Sequence, residues 1–167
     1  MTTAVDVSAL LARLDEIRQE TLARFAGISA DAVIYPESDW RFKDIIVHLT
    51  GWEQEATAAL QAHATGTVYA APLRDHSEEE LQRYNEALYH SRKGYSLERV
   101  LDDWGSARAQ LKAVIADLSA AQWESAVTYP WSVQNTPERL VRGMLWHEGF
   151  HRDEVLVAVG QTLAVRT

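Results

Sequence analysis

The sequence predicts an all-α protein, a four-helix bundle with one extra short helix between the second and third long helices. Apolar residues recur at steps of three and four along nearly the whole chain, as the buried stripe of an amphipathic helix requires. Capping and helix-breaking residues separate these stretches, and no stretch alternates apolar and polar residues as a strand would. With 167 residues, the chain is expected to form one domain, 1–167, with a substantial core.

The first two long helices are expected over residues 8–25 and 41–64, where the apolar stripes are continuous. Gly27 ends the first stripe, and Pro36, followed by polar residues suited to a helix start, separates the two helices. His48 lies within the apolar stripe of the second helix, so its side chain is predicted to face the core.

Capping residues predict where the remaining helices start. Ser77 and Glu80 have the spacing of a capping box, which predicts that the extra helix starts there, after a long loop, and ends near residue 92. Ser96 caps a third long helix that reaches about residue 118, and the stretch 123–135 is expected to be irregular. Thr136 and Pro137 are expected to start the last helix. Proline is tolerated at the first helical position because an N–H there would have no partner within the helix.

The composition argues against several classes of function. The chain has no cysteine, which is typical of a reducing cytoplasm and removes disulfides, thiolate ligands and cysteine nucleophiles. The N-terminal region lacks the pattern of a secretory signal, and no run of about 18 apolar residues predicts a membrane span. The net charge is −8, with Lys and Arg scattered among acids. We therefore expect a cytoplasmic protein with no membrane and no nucleic-acid partner.

The stretch HEGFH, residues 147–151, matches the H-E-x-x-H pattern of zinc proteases. Such proteases need a third metal ligand on a later segment, but the only acids after His151 are Asp153 and Glu154, on the same helix. The longer pattern H-E-x-x-H-x-x-G-x-x-H also fails, because residue 154 is Glu and residue 157 is Val. We therefore do not expect a zinc protease.

Three histidines nevertheless form a candidate metal site. His147 and His151 are four residues apart on one face of the last helix, and that face is apolar, so it points inward. His48 adds a third imidazole from the second helix. Three histidines can hold a divalent metal and leave positions open for water or substrate. The alternative is a core in which each imidazole makes its own hydrogen bond without a metal.

Other residues are weaker candidates for roles at this site. Near the histidines, the only candidates for a general base are Glu55 and Glu148. For Glu148, a carboxylate that simply faces solvent or a partner is an equally good interpretation. Three arginines could bind a substrate carboxylate, although helix-surface positions are favoured for them: Arg139, Arg142 and Arg152. Four aromatic residues could line a pocket or simply pack in the core: Trp52, Tyr84, Trp131 and Trp146. Solvated surface is expected for His63, His76 and His90.

Two motifs resemble a known family. Residues 40–53, WRFKDIIVHLTGWE, resemble the second-helix motif of the DinB-like superfamily of four-helix bundles, in which a Trp and a Lys-Asp pair precede a histidine. The last helix, with His147 and His151, is similar to the H-x-x-x-H of the same superfamily. Residues 84–89 and 95–101 are similar to the ClbS/DfsB subgroup.

The resemblance implies a divalent metal, often zinc or nickel, held by His48, His147 and His151, and a homodimer. Members of the superfamily include hydrolases and transferases that use low-molecular-weight thiols, and the ClbS/DfsB subgroup protects against a DNA-damaging metabolite by opening a reactive ring. We therefore expect a metal-dependent enzyme acting on a small electrophilic molecule. Any thiol must arrive as a cosubstrate, because the chain has no cysteine. The alternatives are a non-catalytic protein that binds metal or sequesters a small ligand, and a dimeric scaffold.

Overall fold

The computed structural model of the protein describes residues 5–75 and 77–161. Its elements, in chain order, are α1 Val7–Phe25, β1 Val33–Tyr35, β2 Trp40–Arg41, α2 Phe42–Thr65, α3 Glu78–Arg92, α4 Leu97–Asp117, α5 Ala120–Glu124, β3 Val127–Thr128, β4 Gln134–Asn135 and α6 Pro137–Ala158. The long helices α1, α2, α4 and α6 form the bundle, and α3 is the extra short helix between the second and third of them. The predicted all-α bundle is confirmed.

The short elements depart from the sequence-based expectation. The sequence predicts no strand, yet β1 pairs with β2 and β3 with β4, both antiparallel. Each strand has only two or three residues, too few for an alternating pattern to be visible. The helix α5 is also missing from the prediction. Its start does carry a signal, a capping box in which Ser119 and Gln122 satisfy each other's backbone N–H groups.

Two of the predicted helix starts are confirmed in position but not in detail. Ser77 accepts a hydrogen bond from the Glu80 N–H, as predicted, but the Glu80 carboxylate binds the N–H groups of Arg74 and Asp75 instead of returning to Ser77. The capping box is therefore half formed. Pro137 occupies the first turn of α6, whereas the Thr136 side chain makes no capping hydrogen bond.

The hairpin of β1 and β2 brings two aromatic side chains close to the histidines of α2 and α6. Strand β1 contacts α6, and β2 leads directly into α2. Tyr35 and Trp40 are register partners, with ring centroids 6.1 Å apart. The turn between them contains Asp39 with a φ of 55°, a conformation that Asp tolerates better than most residues.

The buried apolar side chains form two clusters, one toward each end of the bundle. One includes Leu14, Leu60 and Leu111, and the other includes Phe42 and Trp104, and all five are at most 2% exposed. On each long helix, one cluster lies mainly before and the other mainly after one of four buried charged residues. No described helix combines the length and apolar character that a membrane span requires.

These four charged residues, Arg18, Glu53, Arg108 and Glu148, form what we call the ion-pair layer, with one residue from each of α1, α2, α4 and α6. Arg18 Nη2 lies 3.0 Å from Glu53 and 3.1 Å from Glu148, and Arg108 contacts the same two carboxylates. Both guanidinium groups also donate to backbone carbonyl oxygens, and Arg18 lies 3.5 Å from the centre of the Trp104 ring. The layer is electrically neutral, because the charges are two positive and two negative.

Candidate metal centre

Three imidazole rings meet where α2 faces α6. His48 Nε2 lies 2.9 Å from His147 Nε2, and His147 Nε2 lies 3.1 Å from His151 Nε2. One nitrogen from each ring lies within 4.8 Å of the other two. The structure thus brings together all three histidines that the sequence pattern singles out.

Two further side chains hold the His151 ring in place. His151 Nδ1 lies 2.8 Å from a Glu154 carboxylate oxygen and 3.1 Å from the Tyr35 hydroxyl oxygen, and the Tyr35 hydroxyl donates to the same carboxylate. A carboxylate can only accept a hydrogen bond, so the neutral ring carries its proton on Nδ1 and donates it to Glu154 in a hydrogen bond. The lone pair of Nε2 is then directed at the other histidines. This is the arrangement that orients metal-binding histidines in proteins.

Burial keeps the three rings neutral. Desolvation lowers the pKa of His147 to about 3, with a smaller contribution from His151. Desolvation, followed by the neighbouring His147 and His151, also lowers the pKa of His48 well below its usual value. The pKa of His151 is lowered by desolvation as well, although Glu154 partly opposes that shift. At neutral pH the rings are therefore in the form that binds metals.

The donor set fits a divalent transition metal. Because His151 Nε2 carries no proton, at most one of the two short Nε2 contacts can contain a hydrogen bond in any neutral state of the rings. The other contact then holds two ring nitrogens about 3 Å apart without a hydrogen bond, an arrangement that a shared metal cation would stabilise. Neutral imidazole nitrogens suit zinc, nickel and copper rather than magnesium or calcium.

A cavity of about 900 Å³ opens onto the three histidines. Trp40, Trp52, Trp131 and Trp146 contribute to its walls, and the Trp40 ring centroid lies 5.5 Å from that of His48. Three of the four aromatic residues proposed from the sequence therefore line the cavity. Tyr84 does not line it but packs edge-on against Trp52, with centroids 5.0 Å apart.

Neither carboxylate proposed as a general base lines the cavity. Glu148, only 2% exposed, belongs to the ion-pair layer and accepts hydrogen bonds from Arg18 and Arg108. Glu55 accepts hydrogen bonds from the hydroxyl groups of Tyr69 and Tyr84, at 2.6 and 2.8 Å. The structure therefore supports neither as a general base. Glu148 directly follows His147, which turns its side chain about 100° around the helix, whereas Glu55 lies two turns from His48 and is held by the two tyrosines.

The proposed carboxylate-binding arginines do not line the cavity either. Arg139 and Arg142 are exposed, as expected, and Arg142 pairs with Glu138 at 2.8 Å. The expected surface position is wrong for Arg152, which is only 8% exposed and pairs with Glu20 and Asp153.

The remaining histidines are each placed differently. His90 is exposed, as expected. His63 is half-buried, and its Nε2 lies 2.9 Å from the Gln122 carbonyl oxygen, so the expected solvated position is wrong for it. His76 lies outside the described residues.

Two residues that hydrogen-bond to His151 were not predicted from the sequence. Glu154 stands three residues after His151 and so lies on the same face of α6, a local signal that was available. Tyr35 lies 116 residues away along the chain, and only the packing of β1 against α6 brings it to His151.

Several solved structures share the fold at low sequence identity. An uncharacterised protein from Clostridium difficile 630 has a TM-score of 0.77 and 11% identity, over 97% of this chain and 100% of that one. The sibling lethal factor precursor DfsB has a TM-score of 0.73 and 15% identity, over 97% and 100%. The colibactin self-resistance protein ClbS, in complex with dsDNA, has a TM-score of 0.71 and 17% identity, over 95% and 97%. No curated protein sequence matches the chain significantly.

The ClbS complex corrects the expectation that excludes a nucleic-acid partner. A protein with this fold is in complex with dsDNA, so the fold is compatible with such a partner. The exclusion relied on the net charge of −8, but net charge is a sum over the whole surface, whereas contacts to phosphates depend on local groups of Lys and Arg.

The family is shown by the sequence itself. The family model of the DinB superfamily matches residues 13–155, which include α2, most of α1 and α6, and all three clustered histidines. The helical bundle and its resemblance to ClbS and DfsB agree with that match. The chain belongs to the DinB superfamily.

Proposed function

We propose that this protein is a metal-dependent enzyme acting on a small electrophilic molecule, with His48, His147 and His151 holding one divalent metal. The observation that supports it most strongly is the convergence of three neutral ring nitrogens at the floor of a cavity of about 900 Å³. Zinc and nickel are the metals we expect. The reaction is a hydrolysis or a transfer to a low-molecular-weight thiol.

The described residues have separate tasks in this proposal. The three histidines hold the metal, while Glu154 and Tyr35 orient His151 through its Nδ1 atom. A divalent metal held there would supply Lewis-acid chemistry, which favours the deprotonated form of a bound water or thiol. The tryptophan walls bind the apolar part of the substrate and exclude bulk water from the reacting group.

We also propose a homodimer in the cytoplasm. One face of α6 exposes an apolar stripe, in which Trp146 is 64%, Phe150 41% and Val157 62% exposed. The rings of Trp146 and Phe150 stack with centroids 5.1 Å apart. Large apolar side chains exposed on one face of a helix are typical of a surface that is covered by a partner.

The principal rival is a protein of the ClbS/DfsB type that binds metal or sequesters a small ligand without turnover. The two functions differ in how His48→Ala behaves. An enzyme loses turnover in this variant but keeps ligand binding by the tryptophan walls, whereas a sequestering protein has no turnover to lose. Unchanged turnover in His48→Ala would contradict the metal mechanism.

The experiment that tests the proposal is elemental analysis of protein purified without a metal-binding tag, before and after incubation with zinc or nickel. We expect about one equivalent of metal in the wild type and its loss in both His48→Ala and His147→Ala. His90→Ala is the matched control, because His90 is exposed on α3 and lies outside the cavity. A wild type that holds no metal even after incubation would show that the histidines are core residues.

A further inference from the structure

The charged residues around the cavity are all acidic. Glu37, Glu78 and Glu86 line it, and we call these three residues the acidic mouth. All three are exposed, so they lie on the solvent side of the cavity, whereas the histidines are half-buried or buried. Over residues 5–75 and 77–161, no Lys or Arg side chain lines the cavity.

The acidic mouth is not neutralised from outside the cavity. None of its three carboxylates forms an ion pair with a Lys or Arg in the described part of the chain. Glu78 accepts only a neutral hydrogen bond, from the Gln82 amide at 3.1 Å. Elsewhere on the surface, exposed acids do pair with cations, for example Glu16 with Arg13 and Asp39 with Arg41.

The acidic mouth is assembled from two separate segments. Glu37 lies in the turn between β1 and β2, whereas Glu78 and Glu86 lie two turns apart on α3. Two elements that are distant in sequence thus contribute acidic residues to the lining of one cavity. The tryptophan walls also favour a positively charged ligand, because the face of an indole ring attracts cations.

We propose that the substrate of this site carries a positively charged amine, which binds at the acidic mouth, joined to an apolar body that packs against the tryptophans. This inference rests on the function proposed above, in which the reacting group of the same molecule faces the histidines. The two ends of the cavity then recognise different chemistry: an electrophilic group at the floor and an ammonium group at the mouth. Substrates that carry a carboxylate or phosphate at the mouth end are disfavoured.

Three probes with the same apolar body test the proposal: 2-naphthylmethylamine, 2-naphthylmethanol and 2-naphthylacetate, followed by ligand-observed NMR titration. The titrations use both the metal-loaded protein and protein stripped of metal, because a carboxylate could bind the metal directly. In the stripped protein no metal can bind the carboxylate, so a charge preference reports on the mouth. Charges act over about 30 Å at 0.01 M salt but only about 3 Å at 1 M. We expect the amine to bind about tenfold more tightly than the alcohol at low salt, and about twofold at high salt.

The decisive variant is Glu37→Gln/Glu78→Gln/Glu86→Gln, which removes three charges with little change in shape. Its matched control is Glu98→Gln/Asp102→Asn/Glu124→Gln, which changes the net charge equally at exposed positions outside the cavity. Glu98 lies in the first turn of α4, as Glu78 does in that of α3, so the effect on helix starts is also matched. We expect the first variant to lose the amine preference and the control to keep it.

Two results would overturn the proposal: 2-naphthylacetate binding to the stripped wild type as tightly as the amine, or an equal loss of preference in both triple variants. The second would assign the preference to net charge alone. Metal content is measured on the same samples. Amine preference in a protein that binds no metal would contradict the proposed enzyme but support the cation site. Metal binding without amine preference would overturn only the cation site.

Discussion

The substitution Glu148→Gln separates the structural role of this residue from the catalytic role that the HEGFH pattern suggests. The change removes one negative charge from the ion-pair layer and keeps the side-chain volume. Arg18 and Arg108 then share only Glu53, so the layer goes from neutral to a net charge of plus one in a region where Glu148 is 2% exposed.

The magnitude follows from that burial. Removing one partner of a buried ion pair costs about 3 to 5 kcal/mol, because the remaining charge is left without compensation. At about 2 to 4 °C per kcal/mol for a chain of this size, Tm should fall by roughly 6 to 20 °C. Glu138→Gln is the control, since it breaks an exposed pair on the same helix that contributes about 0.5 kcal/mol.

The assay is denaturant unfolding of both variants, followed by metal analysis under conditions in which they remain folded. We expect Glu148→Gln to keep the metal content of the wild type, because its side chain does not line the cavity. Adding Arg108→Met restores neutrality, so the double variant should be destabilised by at least about 1 kcal/mol less than the sum of the single changes. A loss below about 1 kcal/mol for Glu148→Gln would refute the reasoning from burial and charge.

Three further predictions concern other parts of the molecule. Glu154→Gln should weaken metal affinity about 10- to 100-fold by removing the carboxylate that orients His151, as measured by competition with a chromophoric chelator; unchanged affinity would show that the contact is not needed. Gly51→Ala should destabilise the protein by up to about 2 kcal/mol in denaturant unfolding, because an added Cβ would lie 2.5 Å from the Leu88 side chain of α3. The overpacking cost of about 1 to 3 kcal/mol is reduced by about 1 kcal/mol, the gain from replacing a glycine inside a helix, and a stabilised variant would contradict this close packing. Val157→Asp should shift a dimer toward monomer in analytical ultracentrifugation by placing a charge in the exposed stripe of α6, and an unaltered dimer would place the interface elsewhere.

The features that the sequence predicts are those with local signals. The long helices start and end within a few residues of the expected positions, since stripes and caps act over one or two turns. His147 and His151 were identifiable because their spacing of four residues places them on one face. His48 joined them because it interrupts an apolar stripe, and a histidine in such a position requires a polar partner.

The ion-pair layer has no such local signal. Its members are separated by 35 to 130 residues along the chain, and each could have been a solvated charge on its own helix. The same limit applies to Tyr35, which meets His151 only after the hairpin has packed on α6. Pairing of this kind depends on the relative positions of helices, which no short window of sequence contains.

The ion-pair layer has a consequence for how the helices align. Apolar side chains pack acceptably in several alignments, but sliding one helix by a turn, about 5.4 Å, would move its charge away from its partners and in among apolar residues. Each of the four long helices carries one such charge, so each is held to a single alignment. His147 precedes Glu148 directly, and His48 lies five residues before Glu53. The alignment that neutralises the four charges is therefore the one that brings the three ring nitrogens together.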